Sequence, residues 1–62
     1  MTREQIAAEL LRDMPDDAGL VADHEAIAEM LTRGLSAEKI LASPACDRWP
    51  DTYFWLKSVL TA

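Results

Sequence analysis

Apolar residues recur along this chain every three or four positions, and nowhere do they alternate with polar ones over a useful length. That period belongs to amphipathic helices and not to strands. Ile6, Ala7, Leu10, Leu11 and Met14 share one face, with Arg3, Gln5, Ala8 and Arg12 on the other side. Thr2 is placed to cap this first helix, and Gln5 stands at the reciprocal position three residues on. Pro15 biases Met14 away from helical geometry, so the first helix is expected from about Arg3 to Asp13. The following PDDAG reads as a turn, and Leu20 and Val21 are expected to fold back onto the core.

Asp23 has the chemistry of an N-cap for a second helix, whose start could also lie one turn earlier. Ile27, Ala28 and Leu31 form its inward stripe, with Met30 at the margin. Glu25 and Glu29 lie four apart on the outer face, and Arg33 follows four residues later, within reach of Glu29. Gly34 supplies the left-handed residue that ends the helix. Ser36 then caps a short third helix from about Ala37 to Ala42, which the Ser43–Pro44 step stops. Asp47 or Asp51 caps the last helix, since Pro50 is tolerated in a first turn. Trp49, Tyr53, Leu56, Val59 and Leu60 share a face of that helix at about 100° per residue. Trp55 lies at the edge of that face, while Asp51, Phe54, Lys57 and Ser58 point away. Phe54 is therefore expected as an exposed aromatic, the mark of a contact surface.

At 62 residues the chain has room for one domain and one small core. The fold class this implies is all-α: a single compact domain, residues 1–62, of about four short helices. Half the residues are apolar, which argues against disorder. Cys46 is alone, so an internal disulfide is impossible, and one Cys with one His makes no zinc set. A reduced, cytoplasmic setting is expected. No apolar run approaches the roughly 20 residues of a membrane span, and the acidic, amphipathic start does not resemble a signal or transit peptide.

Charge changes the picture more than composition does. The net charge is −5. Residues 1–29 carry eight acids against two bases, and residues 30–62 carry three acids against four bases. The first half is thus a strongly negative body beside a nearly balanced second half.

No constellation for catalysis stands out. Gly19 and Gly34 are too far apart to cradle a phosphate. His24, read as a first-turn helix residue, and Cys46, read as a small loop residue, lack what a nucleophile pair needs around it. Asp13, Asp16, Asp17 and Asp23 lack the central Gly and closing Glu of a calcium loop, and read as caps and turn residues. Neither an enzyme nor a cofactor or metal is expected.

The stretch from Ile27 to Leu56 has an apolar helix, a Gly-Leu-Ser turn, a short helix with a central Ile, a Pro-containing loop and a last helix bearing Trp-Leu. The residues are Ile27, Leu31, Gly34, Leu35, Ser36, Ile40, Pro44, Trp55 and Leu56. In this it resembles the trihelical helix-turn-helix of phage terminase small subunits and transposase-type DNA-binding domains. The resemblance implies a helix-turn-helix-like trihelical unit within the bundle, whose last helix would enter a DNA groove. Helices that read a groove carry basic residues on their outer face, and DNA-binding domains have high isoelectric points. Here the last helix turns out Asp51, Phe54, Lys57 and Ser58, with Arg48 just before it, and the isoelectric point is about 4.5.

Two functional expectations follow. In the first, the acids Asp13, Asp16, Asp17, Asp23, Glu25 and Glu29, with Glu4 and Glu9, imitate a phosphate backbone. They occupy a basic nucleic-acid-binding site on a partner protein, with Phe54 as an apolar anchor. In size and acidity the chain is similar to small phage-encoded inhibitors of host defence, among them anti-CRISPR and anti-restriction proteins. In the second, Arg33, Lys39, Arg48 and Lys57 contact DNA phosphates as part of a helix-turn-helix regulator or packaging subunit. DNA is a partner only in that alternative. A membrane is not expected as a partner, and the chain is expected as a monomer or weak homodimer.

Overall fold

The computed structural model describes residues 1–12 and 14–61. It contains α1 (Arg3–Leu10), α2 (Ala18–Thr32), α3 (Ala37–Leu41), α4 (Pro44–Asp47) and α5 (Pro50–Leu60). Among the described residues there is no strand, so the all-α expectation is met, with one helix more than the apolar pattern suggested.

α1 opens as expected. The Thr2 hydroxyl accepts from the Gln5 amide at 3.1 Å, and the Gln5 side chain accepts from the Thr2 amide at 2.7 Å. It ends at Leu10, short of the expected Asp13, which lies outside the described residues. Pro15 explains the early stop. Another turn would require an N–H at position 15 for the Leu11 carbonyl, and proline has none. Leu11 correspondingly leaves the expected buried stripe and is 43% exposed, while Ile6, Ala7 and Leu10 are buried.

α2 begins at Ala18, before the start expected from Asp23 and somewhat before the alternative one turn earlier. Asp17 is its N-cap, with Oδ1 accepting from the Gly19 and Leu20 amides at 3.0 and 3.1 Å. The PDDAG stretch is therefore partly the first turn of a helix. Leu20 and Val21 are partly buried helical residues, and Asp23 caps nothing.

The far end of α2 closes on Gly34, whose φ is 83°. The Gly34 amide reaches the Leu31 carbonyl and the Leu35 amide reaches the Met30 carbonyl, both at 3.2 Å. This pair of bonds is the glycine-terminated helix stop expected from the sequence. Arg3 adds a long-range lock. Its Nη1 donates to the carbonyls of Leu35 at 2.7 Å and Leu31 at 3.3 Å, placing a cation on the negative end of α2. The start of α1 therefore lies beside the end of α2, and the two helices pack antiparallel.

Ser36 caps α3 through the Lys39 amide. Ser43 then does two things. Its hydroxyl donates to the Ile40 carbonyl at 2.7 Å, and it accepts from the Cys46 amide as the N-cap of α4. With Pro44 at the first helical position, the step read as a stop is also a start. Neither Asp47 nor Asp51 caps α5. Trp49 occupies that position without a side-chain cap, and Pro50 begins the helix.

The core is one cluster of Ile6, Leu10, Ile27, Leu31, Ile40, Cys46 and Leu56, with Ala7, Ala28 and Ala45 filling between them. Tyr53, Trp55, Val59 and Leu60 of α5 pack partly buried around it, as do Met30, Leu35 and Leu41. Every element contributes at least one side chain, so no helix can leave without exposing apolar area worth roughly 1.5–3 kcal/mol per large residue. Cys46 is fully buried on α4 and is not the loop residue expected.

Candidate functional site

Asp23 falls on the inward side of α2, in register with Leu20, Ile27 and Leu31, where an unpaired carboxylate would be costly. It is 8% exposed. Arg48 meets it with both arms: Nε to Oδ2 at 2.8 Å and Nη2 to Oδ1 at 2.7 Å. The Trp49 indole N–H adds a third bond to Oδ2 at 2.7 Å. This clasp ties the junction of α4 and α5 to the middle of α2. The Arg48 fork, then the Trp49 bond, hold the Asp23 carboxyl down at about 2, against the opposing pull of burial. Arg48 is in turn held more firmly protonated. Asp23, expected as a partner-binding acid on the surface, is instead buried and holds the fold together here. Arg48, the alternative DNA contact, is committed to it.

One residue on, His24 bridges α1 and α5 from the body of α2, not from its first turn as expected. Nδ1 lies 2.8 Å from the Leu10 carbonyl and Nε2 lies 2.9 Å from the Thr52 hydroxyl. A carbonyl oxygen only accepts, so Nδ1 carries the hydrogen, and in the neutral ring Nε2 accepts from Thr52. The Leu10 carbonyl, left without a helical partner where α1 ends, is satisfied this way.

A groove of about 280 Å³ opens beside this bridge, between the end of α1, the following loop and the start of α5. Leu10, Met14, Pro15 and Trp55 supply apolar walls, and His24 and Thr52 line it as well. Glu9, Arg12 and Asp51 are its charged residues. Arg12 sits on Glu9 at 3.1 Å. Asp51 makes no ion pair or side-chain hydrogen bond among the described residues.

The other described acids of the first half are outward. Glu4, Glu9, Asp16, Asp17, Glu25 and Glu29 are all exposed, Asp17 while capping α2. The bases are differently disposed. Arg3 is turned onto backbone carbonyls, Arg12 onto Glu9, Arg33 onto Glu29 at 3.3 Å, and Arg48 onto Asp23. Lys39 and Lys57 are exposed and carry no ion pair among the described residues.

Phe54 is 67% exposed, as its position on α5 required. Its ring stands edge-on to Tyr53, with centroids 5.6 Å apart and planes at 80°. Cys46 is a poor nucleophile: burial, then the charge of Asp47, pushes its thiol up. Among the described residues, no three His, Cys, Asp or Glu side chains gather as metal ligands. Among the described residues no helix is long and apolar enough to cross a membrane.

Sequence reasoning missed the Arg3 lock and the Asp23–Arg48–Trp49 clasp. A signal for the second was present. Once α2 is extended back to Ala18, Asp23 lands in the buried stripe and demands donors. The first has no local signal, because its partners lie 28 and 32 residues away. No protein-family model, curated protein or solved structure matches the chain.

Proposed function

We propose that the protein is a small, non-enzymatic binding protein whose acidic α1–α2 half occupies a basic nucleic-acid-binding site on a partner protein. The observation that carries this reading is the asymmetry of commitment between acids and bases. The carboxylates of Glu4, Asp16 and Glu25 face solvent without an ion pair or side-chain hydrogen bond among the described residues, while every arginine is drawn inward or onto a neighbouring acid. A surface of this kind presents phosphate-like charge to an approaching basic groove and accelerates encounter at low salt. Phe54 adds an exposed apolar contact for the bound state. In size and acidity the chain is similar to small phage-encoded inhibitors of anti-CRISPR or anti-restriction type.

The helix-turn-helix DNA alternative would draw on Arg33, Lys39, Arg48 and Lys57. Two of these four are held by carboxylates, Arg48 by two hydrogen bonds. Neutralising only one or two phosphates supports little duplex affinity.

The test is displacement. Labelled duplex DNA is bound to each of a panel of basic DNA-binding proteins, and the chain is titrated in while fluorescence anisotropy is followed. The expected result is release of DNA from at least one of them, weakened by added salt and lost when Asp16, Asp17 and Glu25 are changed together to Lys. Displacement undiminished in that triple variant would overturn the acidic-surface reading.

A further inference from the structure

We infer that the groove between α1, the 14–15 loop and the start of α5 receives a single arginine side chain of the basic partner. The inference rests on the acidic-surface reading and adds a recognition point where the α1–α2 half meets α5.

Size comes first. About 280 Å³ falls just below the roughly 300–1,000 Å³ of small-molecule pockets. That volume suits one long side chain better than a cofactor. The walls come second. Met14, Pro15 and Trp55 form an apolar lining for an aliphatic stem, and an indole favours a cation laid against it. The polar lining makes no competing demand, because both His24 nitrogens are engaged by Leu10 and Thr52.

Charge selects the occupant. Glu9 already holds the chain's own guanidinium, that of Arg12, at 3.1 Å. Asp51 is exposed and has no ion pair or side-chain hydrogen bond among the described residues. Among the described lining residues it is the carboxylate left for an incoming cation. Arginine fits this combination better than lysine. Its planar group stacks on an aromatic ring, forks onto a carboxylate and is more weakly hydrated. Phe54 lies three residues along α5 from Asp51 on the exposed side, where it would flank the entering chain.

The experiment is an NMR titration of the isotopically labelled full chain with a capped tetra-arginine peptide, repeated with tetra-lysine. The expected result is a shift of the Trp55 indole N–H and the Thr52 amide, with tetra-arginine binding more tightly than tetra-lysine. Asp51→Asn should weaken binding about three- to five-fold, while Glu38→Gln, outside the groove, should leave it unchanged. Asp51 is exposed, so its variant is expected to fold, and its amide spectrum reports that directly. Shifts confined to Asp16, Asp17, Glu25 and Glu29 would overturn the groove and leave the acidic surface standing. Equal binding of the two peptides would overturn the choice of arginine. Absence of any shift would overturn both. Groove shifts combined with failure to displace DNA from any basic protein would leave the groove and sink the broader reading.

Discussion

Asp23 shows how one carboxylate can carry a fold's wiring while appearing, in sequence, to belong to its surface. Its three hydrogen bonds come from residues 25 and 26 positions away, so they form only when α4 and α5 return to α2. The depressed carboxyl makes this clasp pH-sensitive in a defined direction. A carboxyl held at about 2 when folded, against about 3.9 in an unfolded chain, contributes stability above the higher value. That contribution is lost as pH falls towards the lower one. Thermal melts should therefore drop between about pH 4 and pH 2. Asp23→Asn should melt lower than the parent at neutral pH and lack this part of the acid transition. Trp49 and Arg48 were not legible as partners, because the α2 start expected at Asp23 made that residue a cap. Cys46 offers a second residue-scale check. Fully buried and pushed towards the neutral thiol, it should resist alkylation in the folded chain and react promptly in denaturant. Rapid modification under native conditions would contradict that burial.

Local chemistry set the element boundaries wherever one cap stood alone, and misled where two competed. Thr2 with Gln5, Gly34 and Ser36 each had no rival nearby, and each does what its residue type suggests. For α2 the residue expected as cap was Asp23, and the one that caps it is Asp17. Asp17 prevails because α2 from Ala18 turns Leu20, His24, Ile27 and Leu31 inward together. α4 was invisible for a different reason: four residues make little more than one turn, too short to show a period. Ser43 marks it only through geometry, as stop for α3 and cap for α4. The caps give measurable expectations. Gly34→Ala forces a side chain into a left-handed backbone at φ 83° and should cost about 1–2 kcal/mol. Asp17→Ala should cost about 1 kcal/mol through loss of its bonds to Gly19 and Leu20. Urea unfolding should show both as lower midpoints at unchanged slope.

For the whole molecule, the all-α architecture and most core positions could be read from apolar spacing, because burial enforces that spacing. The candidate site could be read only in part. The exposed acids and Phe54 follow from helix faces, whereas the groove depends on how α1 ends and where α5 begins, and both boundaries were displaced in the sequence reading. The groove brings residues of α1 and its loop against Asp51, Thr52 and Trp55 of α5. The central claim is that charge on this body is arranged for a basic protein and not for DNA. Its most direct measurement is a titration of labelled duplex DNA with the chain alone at low salt, followed by fluorescence anisotropy. The predicted result is a flat line, because among the described residues Lys39 and Lys57 are the side-chain bases without a held position, against a net charge of −5. A saturating rise, abolished by Lys39→Glu and Lys57→Glu, would contradict it.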